Sequence, residues 1–152
     1  TTPPIYTLYN ENGKKLKEVL NNNALANKLK NYQISPKEFF TLKTPNGNFN
    51  AWMIKPTNFN TNNKYALFMT QYSGPGSQSV SNSWNSYNDY WYELLAEKGY
   101  VIVCVDGRGT GFKGRDFKKV TYKELGKYEV QRSEEHTSAS QSRVHIVGRL
   151  LG

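Results

Sequence analysis

Residues 65–79 read YALFMTQYSGPGSQS and residues 100–114 read YVIVCVDGRGTGFKG. Each begins as a short, continuous apolar run and breaks into glycine. Runs of that length, rich in aromatic or β-branched side chains, read as strands buried on both faces of a sheet. Between them, NDYWYELLAEKG (residues 88–99) reads as a helix, with Tyr90, Leu94 and Leu95 on one face and Gly99 as its stop. Strand, helix and strand in that order form a β-α-β unit, so the two strands should be parallel and the crossover right-handed. From Ser35 onward the class is α/β, with a sheet covered by helices. The loop after the first run is more than a connection, because it carries Tyr72 at its mouth and then Gly74, Pro75 and Gly76.

Upstream, IYTLYNENGKKLKEVL holds two strand-like runs around an Asn-Gly, a hairpin signal. Two strands alone are not stable in water, so this hairpin should belong to a larger sheet. NNNALANKLKNY reads as a short helix with asparagine caps and Leu25 and Leu29 at i, i+4. SPKEFFTLKTPNGNFNAWMIKP gives a second hairpin, with strands near 38–43 and 49–55 turned by PNGN. TNFNTNNK is a polar loop, and no internal repeat is visible.

The formal net charge of +8 raises nucleic acid or an anionic membrane as partners. Either requires a basic patch, and the lysines here are scattered among 17 asparagines, which speaks for a compositional habit and against nucleic acid. No apolar run is long enough to span a membrane. TTPPIYTLYN carries no basic region followed by an apolar stretch and does not read as a signal peptide. The single cysteine, Cys104, lies inside VIVCVD and reads as a buried core residue, which leaves no internal disulfide and no cysteine metal site.

GTGFKG (Gly109 to Gly114) fits G-x-G-x-x-G after a strand, the place of a dinucleotide fingerprint. The following RDFKKVTYKELG lacks the apolar stripe of a helix packed on a sheet, and Glu129, about 20 positions on, has no strand before it. The segment reads better as a turn with left-handed glycines. No G-K-[ST] occurs, so a Walker loop is excluded, and no metal or other cofactor is expected. A Ser-His-Asp hydrolase of the α/β class needs G-x-S-x-G, then an acid, then a histidine. Residues 1–152 hold no G-x-S-x-G, and residues 1–130 hold no histidine. Asp106 to Gly109, DGRG, ends a strand at the edge where α/β sites form; it is either a site element or an Arg–Asp pair that fixes the loop. Tyr72 is likewise either an aromatic lid on the sheet edge or a hydroxyl donor.

Three stretches in order, YSGPGSQS, VDGRGTGFKG and KELGKYEV, resemble the start of the catalytic domain in the dipeptidyl peptidase IV branch of the prolyl oligopeptidase family, which are serine peptidases. LYNENGKKLKEVLNNNALANKLKN looks like that branch's last propeller strands and the link into the hydrolase. The resemblance covers about residues 5–130. It implies residues 1–34 as the end of a β-propeller and linker, and residues 35–130 as the first half of an α/β-hydrolase sheet. It implies release of N-terminal dipeptides, preferably Xaa-Pro, from a peptide substrate through an acyl-enzyme. It also implies a periplasmic or extracytoplasmic location and a homodimer for the full-length protein. The family's Tyr-x-Gly-Pro tyrosine, here Tyr72, would donate its hydroxyl to the oxyanion. The second donor, the triad and the acidic pair that holds the substrate amine have no counterpart in the matching stretch, so the chain as given should be inactive.

From Gln131 the text QRSEEHTSASQS departs from the family and resembles the in-frame translation of a common sequencing adapter. Residues 131–152, with both histidines, His136 and His145, are therefore expected to be a non-native tail. The alternative is a genuine short α/β binding or assembly protein. Against that stands the sheet edge such a half-domain would leave unpaired.

Overall fold

The computed structural model describes residues 2–44, 47–72, 74–84 and 87–124. The expected tail from 131, most of KELGKYEV and the Pro45–Asn46 part of the second turn lie outside the described residues.

Strands β1 (Tyr6–Tyr9) and β2 (Lys15–Leu20) pair antiparallel in a two-stranded sheet of their own. Their turn is set by Asn10. Its side-chain oxygen accepts from the N–H groups of Asn12 (3.1 Å) and Lys14 (2.8 Å), and Gly13 takes φ +76. That is a three-residue hairpin loop with a left-handed glycine in its last position. The larger sheet expected for this hairpin is not formed by the other described strands. Leu8, Leu16, Val19 and Leu20 all stand exposed on it.

Helix α1 (Asn23–Leu29) follows. Asn22, just before it, makes no side-chain cap; its amide instead donates to the Pro4 carbonyl at 2.7 Å. Asn21 accepts from the Asn23 N–H at 2.7 Å, so an asparagine does serve the helix start, one residue earlier than the cap position.

Strands β3 (Glu38–Thr44), β4 (Gly47–Ile54), β5 (Ala66–Thr70) and β6 (Tyr100–Val105) form a sheet in the order β3-β4-β6-β5. β3 and β6 run antiparallel to β4, whereas β5 runs parallel to β6. Helix α2 (Tyr87–Glu97) supplies the crossover between β5 and β6, and Gly99 ends it at φ +86 with its N–H on the Ala96 carbonyl. The sheet buries both faces along β4 and β6. Phe49, Ala51, Met53, Val101, Val103 and Val105 form one cluster. Trp52, Ile54, Ile102 and Cys104 form the other, closed by Ala96, Leu95 and Tyr92 of α2. Strict alternation along two adjacent central strands is what sends each set to its own side.

Two expectations are corrected here. β6 is buried as read, but β5 is not: Ala66 is exposed and Phe68 is 36% exposed. β5 is an edge strand of the sheet among the described residues, so only one of its sides is paired. Secondly, α2 turns Tyr92, Leu95 and Ala96 to the sheet, whereas Tyr90 and Leu94 stand 38% and 43% exposed. The helical period was legible, but two adjacent stripes compete along it, and the choice depends on what faces them.

Residues 33–37 are tied to α2 by charge. Lys37 Nζ lies 2.6 Å from Asp89 Oδ1, with both side chains nearly buried, and 5.1 Å over the Trp52 ring. Glu93 Oε2 accepts the Ser35 N–H at 2.8 Å. Burial pushes the Glu93 carboxyl up to about 6, aided by the neighbouring Asp89 charge and opposed by the Ser35 N–H and Lys37. A carboxyl raised in the folded state favours folding most when protonated. Its contribution is present below its ordinary pKa of 4.5 and is lost as pH rises through about 6. The difference in urea midpoint between wild type and Glu93→Gln should therefore change across pH 4.5 to 6 and stay level above it, with the variant gaining relative stability at the upper end. Urea titrations at several pH values across that window check this.

Candidate functional site

Because β5 and β6 are parallel neighbours, their carboxyl ends lie on one sheet edge, where open α/β folds place their sites. Two loops leave that edge. The first runs through Tyr72 to Val80, and the second from Asp106 to Gly114.

The first loop turns at Gly74–Ser77. The Ser77 N–H donates to the Gly74 carbonyl at 3.0 Å, Pro75 takes the second position, and Gly76 takes φ +88 in the third. This is a type II turn, whose third position demands a left-handed residue and whose second favours proline. The Ser77 hydroxyl lies 2.7 Å from the Gly74 carbonyl and 3.1 Å from that of Tyr72, and accepts the Gly74 N–H at 3.1 Å. The Tyr72 ring rests against Gly74, where a Cβ would meet its Cε1 at 3.1 Å. The phenol is 68% exposed. It is therefore outside the core, on a turn with internal hydrogen bonds, at the edge the sequence had placed it.

The second loop holds the first. Asp106 is 3% exposed, and its two oxygens accept the N–H groups of Ser79 (2.7 Å) and Val80 (3.1 Å). The Ser79 carbonyl accepts from Trp52 Nε1 at 3.2 Å, and the Ser77 carbonyl accepts from the Gly111 N–H at 3.1 Å. Asp106 is thus a bridge between loops, a role beyond the Arg–Asp pairing considered for DGRG. Nothing in the sequence around Asp106 signals it, since its partners are backbone amides 26 and 27 residues away. Phe112, at φ +66 and 88% exposed, is a second feature that the sequence reading missed. A bulky residue in that region is strained, and such strain clusters at functional edges.

GTGFKG behaves as a turn. Gly109 and Gly114 take φ +93 and +89, and the helix after it, α3 (Arg115–Lys119), has five residues with none buried. Cys104 lies in the cluster on the α2 side of the sheet, and burial pushes its thiol up to about 12, with the Asp106 charge adding to the effect and Lys37 opposing it. A thiol so raised is not a nucleophile near neutral pH. No helix among the described residues is long and apolar enough to cross a membrane.

Residues 82–146 match the prolyl oligopeptidase family. Dipeptidyl peptidase 4 of Trichophyton equinum is 42% identical over 132 residues, which is 84% of this chain and 17% of that protein. The Arthroderma otae dipeptidyl peptidase 4 is 41% identical over the same length. The crystal structure of Porphyromonas gingivalis dipeptidyl peptidase 4 superposes with a TM-score of 0.80 at 39% identity, covering 98% of this chain and 20% of that one. This chain is similar to a segment of the dipeptidyl peptidase 4 proteins. A putative dipeptidyl aminopeptidase IV from Bacteroides ovatus follows at TM-score 0.67 and 28% identity, covering 88% of this chain and 20% of that one. The chain spans about a fifth or less of the length of these relatives.

The geometry of the second loop yields a stability test. A Cβ at Gly109 would lie 2.7 Å from Cγ2 of the buried Thr121, on top of the left-handed φ, whereas a Cβ at Gly76 would meet nothing within 4 Å. Gly76→Ala should cost about 1–2 kcal/mol, the penalty of the left-handed backbone, and Gly109→Ala at least about 1 kcal/mol more for the added overpacking. Urea unfolding of both variants checks the order.

Proposed function

We propose that this chain is a segment of a serine exopeptidase that releases N-terminal dipeptides, with proline preferred in the second position, by acyl-enzyme hydrolysis. Tyr72 is its hydroxyl donor to the oxyanion. The observation that carries this reading is the placement of the phenol: exposed, past the end of β5, on a turn tied to the loop after β6. A donor aimed at developing charge acts most strongly in the transition state and little on substrate binding. The identity with dipeptidyl peptidase 4 proteins supports the peptidase class and a peptide as substrate.

In this reading residues 1–34 are the last strands of a β-propeller with its linker, and residues 35–130 are the first half of an α/β-hydrolase sheet. The exposed apolar side chains of β1 and β2 suit a hairpin whose neighbours come from elsewhere in a longer protein. Residues 131–152 are a non-native tail, and the Ser/Asp/His triad lies beyond the matching stretch. The family match runs on to residue 146, past Gln131, so the boundary at 131 is a matter for the source DNA. Resequencing across codon 131 should give family text leading to a G-x-S-x-G elbow in place of QRSEEHTSASQS. If the present text recurs, the tail is native.

Two further outcomes are expected. Purified 152-residue chain should not turn over a Gly-Pro or Ala-Pro chromogenic substrate above a contaminant control, because oxyanion donors alone do not start acyl transfer. In the intact peptidase, Tyr72→Phe should lower kcat by about 10²–10³ with KM little changed. A raised KM with kcat untouched makes Tyr72 a binding wall and sinks the oxyanion assignment.

A further inference from the structure

Asp106, 3% exposed, is the most deeply buried acid among the described residues, and a buried carboxylate must have a reason to be there. Burying a carboxylate is costly unless its oxygens are satisfied. Both are satisfied here, and by a single neighbour: consecutive amides of the loop that carries Tyr72, Ser79 at 2.7 Å and Val80 at 3.1 Å. Hydrogen bonds to an ionised acceptor are the strong ones, so this is the firmest tie between the two loops. Asp106 is itself fixed, because its own N–H donates to the Asn50 carbonyl of β4 at 2.9 Å, continuing the β4–β6 ladder.

The tie reaches Tyr72 through a short and well-bonded path. Ser79 is held on both sides, its N–H by Asp106 and its carbonyl by Trp52 Nε1. Val80 is anchored in the cluster beneath α2. Two residues back, the Ser77 carbonyl takes the Gly111 N–H, which comes from the loop that Asp106 begins. The Ser77 hydroxyl then lies 3.1 Å from the Tyr72 carbonyl, and the tyrosine ring rests on Gly74 of the same turn.

We infer that Asp106 is the positioning residue of this site: by gripping the Ser79 and Val80 amides it sets where the Tyr72 phenol stands. This rests on the reading of Tyr72 as an oxyanion donor. Asp106 touches no reacting atom. It acts only through the loop, so its removal should cost rate in proportion to how far the phenol drifts.

The test uses the intact peptidase, with substitutions at Asp106, Tyr72 and Ser79, and 3-fluorotyrosine placed at position 72 alone. Asp106→Asn keeps size and one acceptor oxygen but turns an N–H toward the second amide. It should lower kcat by about 10–10²-fold, the effect of an ångström-scale misplacement, with KM within about twofold. The fluorine resonance of residue 72 should shift or broaden. In a Tyr72→Phe background the same Asp106→Asn change should lower kcat by less than about threefold, because the group it positions is gone. Should Asp106→Asn fail to fold, Ser79→Pro removes one of the two donors from the other side and must show the same split. An unmoved fluorine line, or an equal fall in kcat in both backgrounds, overturns the inference. If the line moves but Tyr72→Phe leaves kcat unchanged, the positioning stands and the oxyanion reading is the one that fails.

Discussion

Everything described above hangs on the pairing of β4 with β6. Ala51 opposite Val105, Trp52 opposite Cys104, Met53 opposite Val103 and Ile54 opposite Ile102 place eight apolar side chains in two facing rows, all buried. Because successive residues alternate sides, this one ladder nucleates both cores at once. β5 and β3 attach to its flanks, α2 covers one side, and Phe59, Tyr65 and Phe117 pack on the other. The ladder also ends at the right point: the next residue after Val105 is Asp106, whose N–H makes the last bond to β4. The strand that holds the sheet together thus delivers the carboxylate that holds the site loop.

That coupling explains how an exposed tyrosine is kept in place without being buried. The phenol has little packing around it, so its position comes from backbone: a type II turn, the Ser77 hydroxyl, and the amide grip at residues 79 and 80. Proline and glycine in the turn reduce the conformations open to it. A phenol arranged this way keeps its direction while its ring stays exposed.

The α/β class, the parallel β5–β6 pair, both hairpins and the placement of Tyr72 were legible, because each follows from a local pattern: apolar runs, Asn-Gly turns, and glycine after a strand. Cys104 was legible for the same reason, being flanked by Val103 and Val105 in the run itself. What was not legible depends on neighbours distant in sequence. Tyr90 and Leu94 fit the helical period as well as Tyr92 and Leu95 do, and only the sheet decides between the stripes. β5 has the composition of a central strand, yet its exposure is set by what pairs on its open side. The grip of Asp106 on the site loop was not legible in DGRG, since its amide partners lie 26 and 27 residues upstream and leave no mark in the tetrapeptide.

Trp52 has a consequence of a different kind. Its indole is 3% exposed, lies under the Lys37 ammonium, and donates its N–H to the Ser79 carbonyl of the site loop. Trp91, by contrast, is 51% exposed. The protein therefore carries an intrinsic optical gauge of loop seating. Trp52 emission should lie toward the blue and resist a collisional quencher while Ser79 is in place, against a background from the exposed Trp91 and the half-buried Trp84. Release of the loop would free the indole N–H and move that emission to longer wavelength, so the state of the site edge is readable by light without a ligand or a label.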